Sequence, residues 1–552
     1  MVTGRVANGK KMKTNSPQNH TQQKPRPHLW IMALTLLALA IAYPFEAYIS
    51  RRAPDSTAAS KPTFSLPEGH YDRSIRIRIL LPHSSAGEQN DVIFTVDGRA
   101  PTHTVGETYK RPIHLSATEP DVTVIRARAI LPEGELGPIA SASYFVGIST
   151  TLPMMSLIVE PDDLWDPERG IYANQQERGR NWERRAEIVY ADYVDQEHTV
   201  GFHIPAGIRL HGGASREYAK KSLRLYFRSQ YGAGQLEYPL FKYPPLENGE
   251  EDNAKVQSFE RLVLHNGGQD WHAPFQENWT LLRNQLADRL ALQIGGYAPR
   301  DQPVLLFING EPWGIYQVRE HLDGRFLADH YGVQIADLLN SPEHVKEQDV
   351  LMGDREHWDH LLQFVESHDL ADPANYAYVE SQVDTANFID YTILQIYIAN
   401  FDWPNHNVRQ FRPRVQGGRW HWILWDSERA FGAEPHRGAD LNMVKRTLNY
   451  NHPQTGGRDA LLLRKLLENP TFSHRFIKRS EELLATTLSP RSVTDHIDAL
   501  AAQLRPNITY ETAYWADSTD WAANVQELHD FALRRPDFVR RHLTEYLNQL
   551  QF

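Results

Sequence analysis

Between Asp384 and Asp426 the chain permits few folds. Asp384 is placed to cap a helix whose apolar residues recur at helical spacing through Phe388, Leu394 and Ile398. Asp402 and Pro404 break that pattern, so "DWPNHN", Asp402 to Asn407, reads as a loop. "VRQFRPR" and "RWHWILW" then read as two strands joined across Gly417-Gly418, and Asp426 leaves the end of the second. Two carboxylates and an amide are thereby held at the ends of three packed elements. Their oxygens are the hard donors that Mg²⁺ demands, and an acid in a loop is a candidate proton acceptor.

The rest of the chain is long enough to support such a site. Its 552 residues imply two or more domains, and 41% hydrophobic content with 13 tryptophans implies globular ones. It has no cysteine, which excludes disulfides, thiolate zinc sites and thiol chemistry.

Residues 1–28 carry Arg5, Lys10, Lys11, Lys13, Lys24 and Arg26 and no acid, which reads as a basic cytoplasmic tail. Leu29 to Phe45, "LWIMALTLLALAIAYPF", has no charge and reads as a transmembrane signal anchor. Ala40-Ile41-Ala42 resembles a signal-peptidase site, so a cleaved signal peptide is the other reading. Either way the bulk of the protein is expected outside the cytoplasm, membrane-anchored or secreted. Subtracting the leader's +6 from the net charge of −11 leaves −17 for the remainder, which argues against nucleic acid as a partner. Residues 46–62 form a polar linker.

From 63 to 148 the pattern is all-β: "SIRIRIL" and "VTVIRARAI" alternate, and "VIFTVDGRAPT" runs a strand into an Asp-Gly turn. Short strands over this length suggest a small immunoglobulin-like sandwich. "FTVDGRAPT", "RPIHL" and "VIRARAILPEGELGPIASASYFV" resemble the C-terminal domain of chitobiases and β-hexosaminidases. That resemblance implies a structural spacer or, alternatively, a glycan-binding module.

Residues 149–552 mix strands and helices and become helical toward the C-terminus, giving a multidomain α+β chain. "NGEPWGIYQVRE" centres a hairpin on Asn309-Gly310. The order helix, Asp-x4-Asn loop, hairpin, Asp is that of a protein-kinase catalytic segment. His-Arg-Asp and Asp-Phe-Gly are absent. Instead "LWDPERGIY", "GGASREYAKKSLRLYF", "YPLF", "LHNGGQDW", "RNQLADRLA", "NGEPWGIYQVREHLD", "NFDWPNHN" and "WILWDSERAFG" resemble the spore coat protein H (CotH-type) kinase family.

The resemblance implies an atypical protein serine/threonine kinase using ATP with Mg²⁺ or Mn²⁺ on secreted, coat or envelope proteins. It implies Asp402 as general base and Asn407 and Asp426 as metal ligands. Lys221, or else Lys220, is expected at the α/β-phosphates, with Glu320 as its ion-pair partner and Arg216 at phosphate. Where relatives show Asp-x-Asp this chain has Asp426-Ser-Glu428, and His211 stands at the position of an arginine. The alternative is a catalytically silent relative serving as an envelope scaffold or glycan-binding surface protein.

Overall fold

A computed structural model describes residues 61–81, 91–241, 256–271, 278–340, 349–433, 438–450, 458, 460–515 and 519–550. The chain divides into two compact units, Met1–Ser60, wholly outside the described residues, and Lys61–Phe552, which holds all of them. The expected tail (1–28) and membrane or signal segment (29–45) therefore lie outside the described residues, as does nearly all of the linker. Among the described residues no helix is long and apolar enough to cross a membrane.

Nine short strands open the described chain: β1 (Thr63–Phe64), β2 (Gly69–Tyr71), β3 (Ile75–Ile77), β4 (Ile79–Leu80), β5 (Val92–Thr95), β6 (Glu107–Thr108), β7 (Ile113–Leu115), β8 (Asp121–Ala129) and β9 (Ala140–Val146). A five-stranded sheet, β2-β9-β8-β5-β6, is faced by the pairs β3–β7 and β1–β4. On β3 the alternation holds, with Ile75 and Ile77 buried and Arg76 exposed. On β8 it fails, because both faces are covered. Ile125 packs inward on Ile75 and Ile77, while Val122 and Val124 pack the other way on Met154, Ile158 and Leu305. Phe145 meets Phe307 edge to face at 5.9 Å, a pair worth about 0.5–1.5 kcal/mol beyond its burial. The sandwich is thus no detached spacer; it shares a core with the strands from Met154 onward.

Those later strands form a closed barrel, β10-β11-β12-β13-β16-β18-β17. They are β10 (Met154–Val159), β11 (Arg184–Val194), β12 (Glu197–Leu210), β13 (Leu223–Tyr226), β16 (Arg261–His265), β17 (Asp301–Ile308) and β18 (Glu311–Glu320), with a small pair, β14 (Leu236–Glu237) and β15 (Ser258–Phe259), beside the barrel. Ile188, Ile208, Leu223, Leu225, Leu262, Leu264, Leu306 and Val318 fill the interior. Closure leaves no unpaired sheet edge. Alternation in the sequence announced strands with one buried face, but nothing local announced that the seven would close. Asn309 and Gly310 take φ of 55° and 95°, the two left-handed positions of a tight hairpin turn.

The helix Arg283–Gln293 lies between β16 and β17 in the chain. After β18 come a four-stranded sheet and a helical lobe. The sheet, β20-β19-β21-β22, is built from β19 (Ala336–Asn340), β20 (Val350–Met352), β21 (Arg409–Pro413) and β22 (His421–Ile423). The helix Thr385–Ile398 is buried nearly all round, as a helix in a lobe's centre must be. Asp384 caps it by accepting from Asn387 N at 3.1 Å, and it stops at Ala399, φ 52°. Helices from Met443 to Leu550 close the lobe.

Candidate active site

Barrel and helical lobe enclose a cleft of about 1120 Å³ whose lobe-side wall carries Asp402, Asn407, Asp426 and Glu428. Asp402 is held at both oxygens, Oδ1 accepting from Arg429 Nη1 at 2.7 Å and Oδ2 from Asn407 Nδ2 at 3.5 Å. Asn407 Nδ2 also donates to the Asp426 carbonyl at 3.3 Å, which fixes the amide with its oxygen left over for a ligand. Asn407 and Asp426 have φ of 58° and 57°, left-handed values that non-glycine residues adopt rarely and that cluster at functional sites.

The Asp426 carboxylate is enclosed by protein although the residue keeps some surface on the cleft. Burial, then the charge of Glu428, pushes it up to about 7. No cation pairs with it among the described residues. Burial likewise lifts Glu428 to about 7, against the hydrogen bond from Gln269 N, 2.6 Å. Its other oxygen meets His265 Nε2 at 2.9 Å. Gly267 N donates to His265 Nδ1 at 3.2 Å, and burial, then the Arg319 charge, drives that imidazole down to about 3. His265 is therefore neutral with its proton on Nε2, a donor to Glu428.

The motif "LHNGGQDW" owes its form to this corner. Gly268 has a left-handed φ of 56°, and a Cβ there would displace the Glu428 carboxylate, so the position favours glycine. Asp270 accepts from Thr280 N, Leu282 N and Arg283 N at 2.7, 3.0 and 2.9 Å, capping the start of the helix Arg283–Gln293. Asn284 on that helix accepts from Ser427 N at 2.6 Å and so ties it to the Asp426 turn.

Across the cleft stands a wall of arginines. Arg209, Arg224, Val263 and Arg319 are register partners across β12, β13, β16 and β18, so they share one face, the one toward the cleft. Arg224 donates to His211 Nδ1 at 2.8 Å and has no carboxylate partner among the described residues. Burial, then the Arg224 charge, keeps His211 well below its ordinary value and neutral. Arg319 is fixed by a buried pair with Asp288. Arg409 lies 3.8 Å over the Trp425 ring and, among the described residues, donates to the Leu322 carbonyl and Asn340 Oδ1, both at 3.3 Å. Burial, then Arg224, pulls it down to about 9.

The remaining expected residues are engaged by partners within the chain. Lys220 is fully buried away from the cleft and pairs with Glu511 at 2.8 Å. Lys221 Nζ is caged by Gln175 Oε1 and the carbonyls of Arg216 and Tyr218, at 2.9, 2.6 and 2.6 Å. Glu320 lines the cleft but accepts from His330 Nε2 at 2.6 Å and Arg300 N at 2.9 Å, so the expected Lys–Glu pair is not formed. Arg216 spends its guanidinium on backbone carbonyls.

Sequence reasoning missed Arg224, Arg319, Arg409, His265 and Asp288. Outward positions on alternating strands were the available signal for the first two; register was not. No set of three or more His, Asp or Glu among the described residues is arranged to hold a metal alone. Mg²⁺ shared with substrate phosphates needs only one or two carboxylates, and the Asp426–Asn407 corner fits that demand.

Residues 208–539 match the family model described as CotH kinase protein. No curated protein matches the chain. The crystal structure of the Helicobacter pylori proinflammatory kinase CtkA is similar at 10% identity and a TM-score of 0.25, covering 53% of this chain and 92% of that one.

Proposed function

The chain belongs to the CotH kinase family, and from that premise we propose that it moves the γ-phosphoryl group of ATP onto a serine or threonine hydroxyl of a secreted, coat or envelope protein. One observation carries the proposal: the cleft has two unneutralised poles. Among the described residues Arg224 and Arg409 form a cationic pole with no direct carboxylate partner. Asp426 with Glu428 forms an acidic pole with no direct cation partner among those residues, the Arg319 charge acting on it only from a distance. Charges cost too much to bury unpaired unless a ligand completes them. A triphosphate with its divalent metal completes both.

Arg224, Arg319 and Arg409 bind the phosphates in this reading, replacing Lys221 and Lys220. Asn407 Oδ1 and the Asp426 carboxylate hold Mg²⁺ or Mn²⁺. When bound, the metal neutralises charge on the phosphate oxygens. Asp402 takes the hydroxyl proton as the acceptor oxygen bonds to phosphorus and the bond to the β-phosphate oxygen breaks, leaving ADP. Arg429 and Asn407 keep its carboxylate oriented.

The uncharged segment 29–45 supports an extracytoplasmic site of action, anchored or released. A C-terminal reporter active only outside the cytoplasm tests that arm, and cytoplasmic activity removes it. The chemistry is tested by two variants. Asp426→Ala loses metal-dependent nucleotide binding, whereas Asp402→Ala keeps binding and loses about 10²–10⁴-fold in transfer. If both bind and transfer like the parent, the acids are caps of turns and carry neither role. If the folded parent itself neither binds nucleotide nor transfers phosphate, the protein is a silent envelope scaffold or glycan-binding surface protein.

A further inference from the structure

Between the helix Pro161–Trp165 and β11 a loop runs along the cleft mouth, and Asn174, Glu177, Arg178, Gly179 and Trp182 line the cavity. Residues 177–181 are all exposed. Two residues that the sequence assigned to phosphate hold this loop instead. Arg216 Nη1 donates to the carbonyls of Gln175 and Glu177 at 3.2 and 3.1 Å. Its Nε and Nη2 donate to those of Gly212 and Leu210 at 2.8 and 2.7 Å. Lys221 Nζ adds the bond to Gln175 Oε1.

Arg216 is thus a buried cation with no carboxylate partner among the described residues, stapling an exposed loop to the end of β12. Burial, then the charges of Arg178 and Arg224, pushes it down to about 10. That arrangement is costly, and what it holds in position is the loop arginine that lines the cleft. Arg178 lines the cleft and makes no hydrogen bond or ion pair among the described residues. Gly179 comes next at φ 91°, a conformation open to glycine, and turns the chain directly after it.

We propose that Arg178 is a nucleotide-binding residue, closing over the triphosphate from the barrel side, with Arg216 as the residue that positions its loop. The inference rests on the reading of the cleft as a nucleotide site. It gives Arg178 a direct charge-assisted contact and gives Arg216 none.

The test uses the full chain, a fluorescent ATP analogue with Mg²⁺, and limited trypsin digestion read by mass spectrometry at Arg178 and Arg180. Arg178→Gln is expected to raise the nucleotide Kd about tenfold with an unchanged melting temperature, the scale of one charge-assisted hydrogen bond. Nucleotide is expected to slow cleavage of the parent at Arg178. Arg216→Met is expected to speed cleavage without nucleotide and to weaken binding as Arg178→Gln does, and the double variant to bind no worse than either single one. Should Arg216→Met fail to fold, Arg178→Gln and parental protection decide alone. Parental binding that Arg178→Gln leaves intact, with no protection at Arg178, overturns the inference and spares the nucleotide site. No nucleotide binding by the folded parent removes the site itself, and the inference with it.

Discussion

The barrel presents two outer surfaces, and they treat charge in opposite ways. Toward the sandwich, the charges have partners across the seam. Arg126 of β8 meets Glu160 at 2.5 Å, and His203 of β12 is held between Glu68 at 2.9 Å and Glu187 at 3.2 Å. Ser143 and Ser156, both fully buried, bond to each other at 2.8 Å. Toward the cleft, Arg224, Arg409 and Asp426 have no neutralising contact among the described residues. The same strands therefore build a surface finished within the chain and a surface that needs a ligand. Substitutions at finished contacts should move stability and leave binding alone; those at the cleft should do the reverse.

The largest expected effect belongs to a finished contact beneath the barrel wall. Lys220 donates to Glu511 and to the Ile315 carbonyl, and Glu511 also accepts from Trp271 Nε1 and Ile315 N at 2.5 and 2.7 Å. Removing one member of a buried ion pair strands the other, so Lys220→Met should cost about 3–5 kcal/mol in denaturant unfolding. Adding Glu511→Gln, which removes the stranded charge and keeps an acceptor for one of the two N–H groups, should recover part of that. A Lys220→Met protein of parental stability that no longer binds nucleotide would make Lys220 the phosphate cation and break the comparison.

Arg224→Met sits on the other side of it. The variant should keep the parental melting temperature and weaken the nucleotide about 10–100-fold, the range of a charge-assisted bond. A large fall in stability with unchanged affinity would place Arg224 among the finished contacts.

These two residues also show how far the sequence could be read. Asp402, Asn407 and Asp426 lie on consecutive elements, helix end, loop and hairpin end, so local patterning was enough to group them. The proposed phosphate cations are spread over β13, β18 and β21; strand register aligns Arg224 with Arg319, while Arg409 comes from a separate sheet, and no local pattern carries either placement. Lys220 and Lys221 formed the obvious basic pair, but the partner of Lys220 lies 291 residues further on. The alternation on β8 likewise could not say that its second face would be covered by β10 and β17. "LHNGGQDW" was legible only as a motif of the resemblance; the reason for its second glycine, the room it leaves for Glu428, was not.

Acidity separates the surfaces again. Without metal, Asp426 and Glu428 are pushed up to about 7, so below that pH a metal must displace a proton. Metal affinity should rise with pH up to about 7 and level off above it, falling about tenfold per unit below for each proton displaced. The two carboxyls titrate as a couple, so the curve belongs to the pair. Isothermal titration with Mn²⁺ from about pH 5.5 to 8.5 checks this, and a flat profile would mean the corner is already neutralised.

The smallest effect is expected at the seam. Burial opposes a charge on His203, but hydrogen bonds to Glu187 and Glu68 outweigh it and push the imidazole up to about 9. A group raised on folding stabilises fully below its unfolded value near 6.5, and that contribution disappears as pH rises through about 9. His203→Leu should therefore lower stability by roughly 1 kcal/mol at pH 6, the upper end for a partly exposed ion pair. The gap between variant and parent should narrow toward pH 10 as the parent loses its proton. Nucleotide affinity at pH 7.5 should stay at the parental value throughout. The decisive readout is the pair of melting curves at pH 6 and 10: a gap that stays constant reports lost packing alone, and a gap that widens reverses the sign of the linkage. If instead the affinity falls with His203→Leu, the seam and the cleft are coupled through β12, and the two surfaces of the barrel are not independent.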